Sequence, residues 1–425
     1  MLKYKAVRGT QDVLPDKMPL WRHLEETVRR RMKLYNYQEI ATPTFERTEL
    51  FIHSTGEGTE IVEKQMYTFL DKGERSLTLR PEGTPPVVRT YIQHNMGMKK
   101  SPQKLFYIGP MYRQESPQAG RLRQFHQFGA EAIGSIDPAL DAETISLFLD
   151  ICDDLGLKGL CLQLGSIGCP RCRPTYRQKL LGFFADKYDL LCADCKQRYQ
   201  RNPLRILDCK NPTCRQVTDE APSMLDYLCD ECAQHFRQLR VHLDALGIGY
   251  QVNRRLVRGL DYYTKTVFEV VSAQLGAQDA LGGGGRYDGL VEELGGKPTP
   301  AVGFAAGIER ILLAMEKGGC SYPEPLQPEV YVASIGEKAK QLAVRLLREL
   351  RTRGVSADTD YLDRSLKAQM RAANSLKAKY TVIIGQEELS RGKASVRNMR
   401  SSHQDEVEIE NLCDYLVEVL TKAEG

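Results

Sequence analysis

The stretch RQFHQFGAEAIG at residues 123–134 decides the fold, because its polar and apolar side chains alternate. Successive residues of a β-strand point to opposite faces of a sheet, so the alternation predicts a strand that is buried on one side only. One face would carry Phe125, Gln127, Gly129 and Glu131, and the other Phe128, Ala130 and Ala132. One-sided strands are typical of antiparallel sheets. The missing side chain at Gly129 is expected to leave room for a ligand on the polar face.

Further segments extend this strand into a mixed fold. Strands are predicted for SLTLR, KLFYIG and TKTVFEVVSA, at 76–80, 104–109 and 264–273, and helices for 17–36, 84–96 and 142–156. The chain is therefore expected to be of the α+β class, with an antiparallel sheet and flanking helices. Neither a GxxxxGKS/T run nor a GxGxxG run occurs, so the two common parallel-sheet nucleotide sites are excluded.

Polar groups of both charges recur on the predicted strands. Thr78, Arg80 and Glu82 share one face of SLTLRPE, and Arg113 aligns with Glu115 in FYIGPMYRQE. Carboxylates, arginines and an amide on one face suit a ligand with both signs of charge, such as a zwitterion together with a nucleotide. For any single strand, a half-exposed sheet with ordinary polar residues is the better explanation. The agreement of three strands favours a ligand site.

Three glycine-containing segments carry candidate ligand contacts. QESPQAGRLRQF puts Arg121 and Arg123 on a loop, where guanidinium groups match phosphate oxygens. LGGGGRYDGL, at 281–290, permits close approach of a ligand to the backbone, although a flexible hairpin is a fair alternative. AVGFAAGIER, at 301–310, predicts a strand and then a buried helix that ends the segment on an arginine.

Length and composition limit the possible classes of protein. The 425 residues exceed one ordinary core, so two or more domains are expected. No apolar run approaches the roughly 18 residues that span a bilayer, and the N-terminus lacks a leader pattern, so a cytoplasmic location without a membrane partner is expected. The net charge of +4 is mild, but residues 364–400 hold nine Lys or Arg against two acids. This basic segment predicts a nucleic-acid contact or, equally, a solvated helix face.

Changes in composition suggest the domain boundaries. Residues 1–325 predict one large domain that is interrupted at 169–235 by a cysteine-rich insertion. The proline-rich segment YPEPLQPE, at 322–329, predicts a linker. Strands and helices alternate over 329–425, which is typical of a small α/β domain.

The motifs together resemble those of a class II aminoacyl-tRNA synthetase. Pro43 after its helix resembles motif 1, Arg113 and Glu115 with their loop resemble motif 2, and AVGFAAGIER resembles motif 3. Three further segments resemble the histidine-specific family, the last most specifically: TLRPEGT at 78–84, GRLRQFHQFGAE at 120–131 and RGLDYYTKTVFE at 258–269. The resemblance covers nearly the whole chain except the cysteine-rich insertion.

The resemblance implies a fold and an activity. Residues 1–325 would form the class II catalytic domain, with its synthetase-type antiparallel sheet, and residues 329–425 the anticodon-binding domain. The family activates histidine with ATP to histidyl-adenylate and pyrophosphate, and then transfers histidine to the 3′ end of tRNA(His). Motif 1 implies a homodimer. The expected partners are therefore tRNA(His), histidine, ATP and a second copy of the chain.

The resemblance also implies a role for each matching residue. Arg258 would be catalytic, by stabilising the charge that develops between the histidine carboxylate and the α-phosphate. Histidine would contact Glu82, Thr84, Gln127, Glu131, Arg258, Tyr262 and Tyr263. ATP, with Mg²⁺ on its phosphates, would contact Arg113, Glu115, Arg121, Phe125 and Arg310. Gln118 and Arg123 match positions near the acceptor end of tRNA.

Eight of the twelve cysteines form four pairs inside the insertion. The pairs are Cys169/Cys172, Cys192/Cys195, Cys209/Cys214 and Cys229/Cys232. A cytoplasmic chain seldom keeps structural disulfides, whereas closely spaced thiolates bind one tetrahedral ion. The spacing predicts two structural zinc ions with four ligands each, with reduced thiols in a helical insert as the alternative. The resemblance neither requires nor supports this metal.

Two other functions compete with the enzyme at this point. A relative of the family has lost catalysis and regulates ATP phosphoribosyltransferase, but the presence of Arg258 and of a C-terminal domain argues against that role. The insertion would alternatively be a zinc-ribbon nucleic-acid binder on an inert scaffold. That function leaves the polar faces of the predicted strands unexplained.

Overall fold

The computed structural model describes residues 4–56, 59–99, 101–116, 121–276 and 280–424. The chain divides into two compact units, Met1–Pro323 and Glu324–Gly425. Among the described residues, no helix is long and apolar enough to cross a membrane.

The first unit is built on a large, mostly antiparallel sheet. The strands of this unit are β1 (Gln38–Glu39), β2 (Phe45–Arg47), β3 (Tyr67–Leu70), β4 (Ser76–Leu79), β5 (Gln103–Tyr112), β6 (Gln124–Ile133), β7 (Leu160–Ser166), β8 (Gln251–Val252), β9 (Thr264–Ser272), β10 (Ala280–Arg286) and β11 (Ala301–Gly307). The large sheet has the order β1-β5-β6-β11-β10-β9-β7-β8, and β2-β4-β3 form a small antiparallel sheet. Only the edge pairs β1/β5 and β7/β8 of the large sheet are parallel. The predicted α+β class and antiparallel sheet are confirmed.

Helices cover the apolar face of the large sheet. The helices of this unit are α1 (Met18–Leu34), α2 (Thr48–Thr55), α3 (Thr84–Gln93), α4 (Pro138–Asp154), α5 (Arg173–Ala185), α6 (Ala193–Arg201), α7 (Pro212–Asp219), α8 (Asp230–Ala245), α9 (Leu290–Glu293) and α10 (Ile308–Gly318). The main core contains side chains of α1, α4, α8 and α10. Phe128, Ala130 and Ala132 of β6 are fully buried there, as their alternation predicts. The rings of Phe148 and Phe304 stack across the interface between α4 and the sheet, with centroids 4.8 Å apart.

The glycine-rich run forms the central strand β10, so the flexible-hairpin alternative is wrong. A Cβ on Gly284 would lie 2.0 Å from the carbonyl oxygen of Gly303, and one on Gly282 would lie 2.6 Å from that of Ala305. The backbone of β11 thus occupies the space that side chains would need. Glycine is required here by the close approach of neighbouring strands.

The cysteine-rich insertion lies between β7 and β8 and is helical. Helices α5 to α8 surround a buried cluster of their own, which contains Tyr176, Leu180, Phe184 and most of the paired cysteines. Helix α8 continues from this cluster into the main core, where Leu239 and Leu243 are fully buried. The insertion is therefore anchored to the sheet domain through α8.

The second unit combines strands and helices in alternation. Its elements are β12 (Val330–Ser334), α11 (Glu337–Thr352), β13 (Ala357–Thr359), α12 (Leu366–Ser375), β14 (Tyr380–Ile384), α13 (Gln386–Arg391), β15 (Lys393–Asn398), β16 (Gln404–Glu408) and α14 (Leu412–Glu424). The sheet order is β13-β12-β14-β15-β16. The first three strands are parallel, and β15 and β16 add an antiparallel hairpin. The crossover helices α11 and α12 match the predicted α/β alternation.

Candidate active site

A cavity of about 470 Å³ opens above β6, β9 and β10 on the side of the sheet away from the main core. Loops after β4, β5 and β8 also contribute to its lining. All of the predicted histidine and ATP residues except Glu131 line it: Glu82, Thr84, Arg113, Glu115, Arg121, Phe125, Gln127, Arg258, Tyr262, Tyr263 and Arg310. Residues that lie far apart in the sequence thus meet in one cavity.

Glu82 supplies a buried carboxylate at one end of the cavity. Only 4% of the residue is exposed, and it accepts hydrogen bonds from Thr55 Oγ1 at 2.9 Å and from Tyr262 Oη at 2.7 Å. Burial raises the pKa of Glu82, while these donors and the charge of Arg113 oppose the rise. A carboxylate that is buried away from solvent is strongly stabilised by a cationic ligand. Tyr262 contacts this carboxylate and therefore helps to orient it.

Glu131 lies behind the cavity and has no exposed surface. Thr84 Oγ1 donates to one of its oxygens at 2.7 Å, and Tyr287 Oη donates to the other at 2.5 Å. Burial raises the pKa of Glu131 to about 8, against the effect of both donors. The carboxyl is therefore not part of the cavity lining itself but is linked to the lining through Thr84. The sequence did not predict the contact of Tyr287, because the glycine run before it carries no side-chain pattern.

Three buried polar atoms of the cavity residues have no hydrogen-bond partner among the residues that the structure describes. They are Tyr107 Oη, Gln127 Oε1 and Arg258 Nε. A buried polar group without a partner costs about 1–3 kcal/mol, so a polar ligand in this cavity would recover that cost. Tyr107 was not predicted, because its place in an apolar strand is typical of a core aromatic residue.

Arg258 extends into the cavity from the loop between β8 and β9. Its Nη1 lies 2.6 Å from Glu269 Oε1, and 19% of its side chain is exposed. A Cβ on Gly283 would lie 2.9 Å from the same Nη1, so this glycine leaves the space that the guanidinium occupies. Burial lowers the pKa of Arg258, but Glu269 and the two neighbouring tyrosines raise it by more, and the group stays charged.

Three of the predicted arginines, Arg113, Arg121 and Arg310, line the same cavity. Arg113 donates through Nε to the carbonyl of Pro81 at 2.9 Å, and its guanidinium lies 5.3 Å from the centre of the Phe125 ring. Arg121 lies 3.5 Å from Glu115. Arg310 donates through Nε to the carbonyl of Ala280 at 2.6 Å. Positive charge beside an aromatic ring suits the phosphates and the base of a nucleotide.

The two residues predicted near the acceptor end of tRNA have different outcomes. Gln118 lies outside the described residues. Arg123 does not line the cavity; its Nε donates to the carbonyl of Glu115 and its Nη1 to that of Arg8, both at 3.4 Å. Its guanidinium therefore joins two backbone segments beside the cavity.

Three further residues of the predicted polar faces turn out to be structural. The space above Gly129 is filled by Tyr107, whose Oη would lie 2.4 Å from an added Cβ, so the expected room for a ligand is absent there. Thr78 hydrogen-bonds to the hydroxyls of Thr68 in β3 and Thr48 in α2. Arg80 donates to the backbone carbonyls of Thr42 and Pro110 at 2.9 Å.

The insertion contributes part of the cavity lining, which the sequence did not predict. The cavity lining includes Asp208, Cys209, Lys210, Arg215 and Thr218 of the insertion as well as the loop that carries Arg258. No local motif indicates this contact, since the insertion and the loop are joined only by the fold.

The eight paired cysteines form two separate groups of four. The outer tetrad is Cys169, Cys172, Cys229 and Cys232, and the inner tetrad is Cys192, Cys195, Cys209 and Cys214. Within each tetrad all sulfurs lie within 4.8 Å of one another. Backbone N–H groups of Cys229 and Cys192 donate to the sulfurs of Cys172 and Cys214, at 3.1 and 3.2 Å. Each tetrad could hold one metal ion.

Comparison with known proteins identifies the family. The family model for histidyl-tRNA synthetase matches residues 9–172 and 193–311, and the model for an anticodon binding domain matches residues 329–419. A histidine–tRNA ligase of Halothermothrix orenii is 54% identical over 410 residues, which is 96% of this chain and 98% of that protein. One from Desulforamulus reducens is 51% identical over 405 residues, which is 95% of this chain and 97% of that protein.

A solved structure agrees with these sequences. The crystal structure of apo S. aureus histidyl-tRNA synthetase superposes with a TM-score of 0.82 at 40% identity, over 97% of this chain and 99% of that chain. Sequence and fold thus match over nearly the full length of both proteins. The chain belongs to the histidyl-tRNA synthetase family.

Proposed function

We propose that this aminoacyl-tRNA synthetase is a histidine–tRNA ligase that activates histidine with ATP in the cavity described above and transfers it to the 3′ end of tRNA(His). The observation that carries the proposal is the convergence of Gln127 Oε1 and Arg258 Nε on a cavity that also contains the carboxylate of Glu82. Both atoms are buried and have no hydrogen-bond partner within the described part of the chain. A ligand with an ammonium group and a carboxylate satisfies all three groups.

Histidine occupies the end of the cavity at Glu82. Its α-ammonium donates to Glu82 and to Gln127 Oε1, and the Thr84 hydroxyl can accept as well, because that hydroxyl already donates to Glu131. The imidazole nitrogens face Tyr263 and, behind Thr84, the carboxyl of Glu131. A site built for two ring nitrogens leaves buried polar groups unpaired with any other amino acid, and this mismatch provides selectivity.

ATP occupies the end with the three arginines. Adenine stacks on Phe125 and donates its amino group to Glu115, Arg113 contacts the α-phosphate, and Arg121 and Arg310 contact the β- and γ-phosphates. Mg²⁺ binds ATP through phosphate oxygens, and it takes hard oxygen ligands from protein carboxylates. Glu309 beside Arg310 is a carboxylate in the same lining, and its oxygens also accept from the backbone N–H of His126 at 2.9 Å. When bound there, the ion would supply positive charge to the phosphates.

Activation is a substitution at phosphorus. A carboxylate oxygen of histidine forms a bond to the α-phosphorus, the bond from that phosphorus to the bridging oxygen breaks, and pyrophosphate leaves. The nucleophile is already an anion, so no general base is needed. Arg258 and Arg113 stabilise the charge that builds on the α-phosphate. In the second step a hydroxyl of the terminal ribose attacks the histidyl carbonyl, and AMP leaves.

The second unit binds the anticodon loop of tRNA(His) in this proposal. Its match to an anticodon binding domain supports this role, and so do the exposed side chains of Lys367, Arg371 and Arg400. Residues 1–325 are then the catalytic domain, with 169–235 as its insertion, and 329–425 are the anticodon-binding domain. Since tRNA and ATP are its substrates, the enzyme works in the cytoplasm.

The chain acts as a homodimer in this proposal, with the small sheet of β2 to β4 at the interface. The apolar side chains of Phe45, Phe69 and Leu70 on this sheet are 51%, 44% and 66% exposed, and the first two rings lie 6.3 Å apart. Pro43 precedes this sheet. A patch of exposed apolar groups on a soluble domain is typical of an interaction surface.

Structural zinc in the insertion completes the proposal. The support is the presence of two groups of four cysteine sulfurs, the ligand set that closed zinc sites use. The ions would help to fold a segment with a small apolar core.

Pyrophosphate exchange into ATP, run with each amino acid in turn, tests the activity. Exchange is expected with histidine, whereas exchange with none would refute the enzyme and exchange with a different amino acid would refute the specificity. Glu82→Gln is expected to raise the KM for histidine by about 10- to 100-fold, through loss of one charge-assisted hydrogen bond, with the KM for ATP unchanged. Glu349→Gln, an exposed carboxylate of the second unit, serves as the matched control.

A further inference from the structure

Distances between the cysteine sulfurs fit one tetrahedral ion in each tetrad. Cys169 lies 3.6 Å from Cys172 and 3.9 Å from Cys229, and Cys192 lies 3.8 Å from Cys209. Four sulfurs that are each about 2.3 Å from one zinc ion lie about 3.8 Å apart. A disulfide needs sulfurs at about 2.05 Å, and all of these cysteines are free thiols. The spacing is therefore that of mononuclear metal sites.

We propose that each tetrad binds one Zn²⁺ and that the two ions position the loop of residues 253–261, which carries Arg258. The metal would then control catalytic competence as well as the folding of the insertion. This inference rests on the proposed function, in which Arg258 acts on the α-phosphate.

The two tetrads are nested along the chain. The first and last cysteine pairs form the outer tetrad, and the two middle pairs form the inner one. Sequence spacing alone permits the first two pairs to share one ion and the last two another. The nested arrangement ties both ends of the insertion together at the outer tetrad.

Residues between the metal ligands hold the loop. The span 196–208 has Cys195 at one end and Cys209 at the other, both of the inner tetrad. The span 215–228 runs from Cys214 of the inner tetrad to Cys229 of the outer tetrad. Both spans are therefore fixed at each end by a metal ligand.

The first span contacts the loop just after Arg258, at Gly259 and at Asp261. Arg205 donates to the carbonyl of Gly259 at 2.6 Å and lies 3.6 Å from Asp261. Asn202 donates to the same Asp261 at 3.2 Å. These contacts fix the backbone immediately after Arg258.

The second span contacts the loop before Arg258. Ser223 donates to the carbonyl of Arg254 at 3.3 Å, and Asp226 pairs with the guanidinium of that arginine at 2.5 Å. Asp219 forms an ion pair with Arg255. Because the guanidinium of Arg258 must meet a reacting phosphate, a shift of its loop by about 1 Å is expected to cost about 100-fold in rate.

Metal content tests the ion and the pairing. Elemental analysis of the purified enzyme is expected to find two zinc per chain, and K-edge absorption of the unmodified enzyme to find four sulfurs at about 2.3 Å around each ion. Cys169→Ser with Cys229→Ser should lose one zinc, and Cys169→Ser with Cys192→Ser should lose both. The reverse pattern would overturn the nested pairing. Less than one zinc per chain, or iron in its place, would overturn the metal proposal even if the variants fail to fold.

Arg205→Ala tests the positioning of the loop without touching a metal ligand. The substitution is expected to lower kcat for pyrophosphate exchange by about tenfold or more. Zinc content, melting temperature and the KM for ATP should not change. Arg205→Lys should restore part of the rate. Arg177→Ala, which removes a contact made inside the insertion to Gln200, is the matched control.

The outcomes separate this inference from the proposed function. A chain with two zinc ions that performs no exchange with histidine would refute the proposed function. An active enzyme with two zinc ions whose kcat is unaffected by Arg205→Ala would refute the positioning role alone.

Discussion

Replacing Arg258 by alanine tests the centre of the proposed mechanism. Its guanidinium is held by Glu269 at 2.6 Å with 19% of the side chain exposed, so it acts in surroundings less polar than water. A unit charge about 4 Å from the developing charge contributes about 4 kcal/mol at an effective dielectric constant of about 20. Partial neutralisation by Glu269 reduces this to about 3 kcal/mol, which corresponds to a factor of about 100 in rate.

Pyrophosphate exchange at saturating histidine measures this loss, and calorimetry measures the dissociation constant for ATP. Arg258→Ala is expected to lower kcat by about 100-fold or more and to leave ATP binding nearly unchanged. Arg258→Lys keeps the charge but loses the planar donors, so its rate should be intermediate. Arg240→Ala, whose guanidinium contacts Tyr250 outside the cavity, is the control. Equal losses in ATP binding and in rate would refute the assigned role.

Three further predictions concern the packing around Gly129, the pKa of Glu131 and the contribution of Arg121 to ATP binding. Gly129→Ala would place a Cβ 2.4 Å from Tyr107 Oη and 2.7 Å from the carbonyl of Phe304, so the free energy of unfolding should fall by about 1–3 kcal/mol; an unchanged melting temperature would contradict this packing. Burial raises the pKa of Glu131 from 4.5 to about 8 in the folded state, so the stability that this carboxyl contributes is present below pH 4.5 and is lost as the pH rises toward 8. Between pH 4.5 and 8, denaturant unfolding should therefore show that the wild type loses stability relative to Glu131→Gln. A stability difference between the two proteins that does not depend on pH would indicate that Glu131 has its ordinary pKa. Arg121→Ala should raise the KM for ATP by about tenfold in exchange assays, and an equal rise in the KM for histidine would place Arg121 at the wrong end of the cavity.

Local sequence patterns were sufficient for most elements of the fold. Alternation at 123–134 predicted β6, and apolar spacing at 17–36 predicted α1, because both patterns reflect neighbours along one strand or helix. Strand β10 was not predicted, since four consecutive glycines carry no side-chain pattern. Its strand conformation depends on β9 and β11, which enclose it from both sides.

The candidate site was predicted in part. The motifs located the residues that line the cavity, because a polar residue at a fixed spacing on a strand shows which face it occupies. The motifs did not show how deeply each side chain is buried, so they did not predict that Glu131 is fully buried and bonded to Thr84. They also did not show that Tyr107 fills the space at Gly129.

The sequence by itself determined the family, the polar face of the sheet and the presence of four cysteine pairs. Only the tertiary structure decided which pairs share a tetrad, and that the insertion holds the loop of Arg258 through Arg205 and Asn202. The physical reason is the range of the interactions. Alternation and motif spacing record contacts within a few residues, whereas the contact of Arg205 with Gly259 joins positions more than fifty residues apart and exists only after the chain has folded.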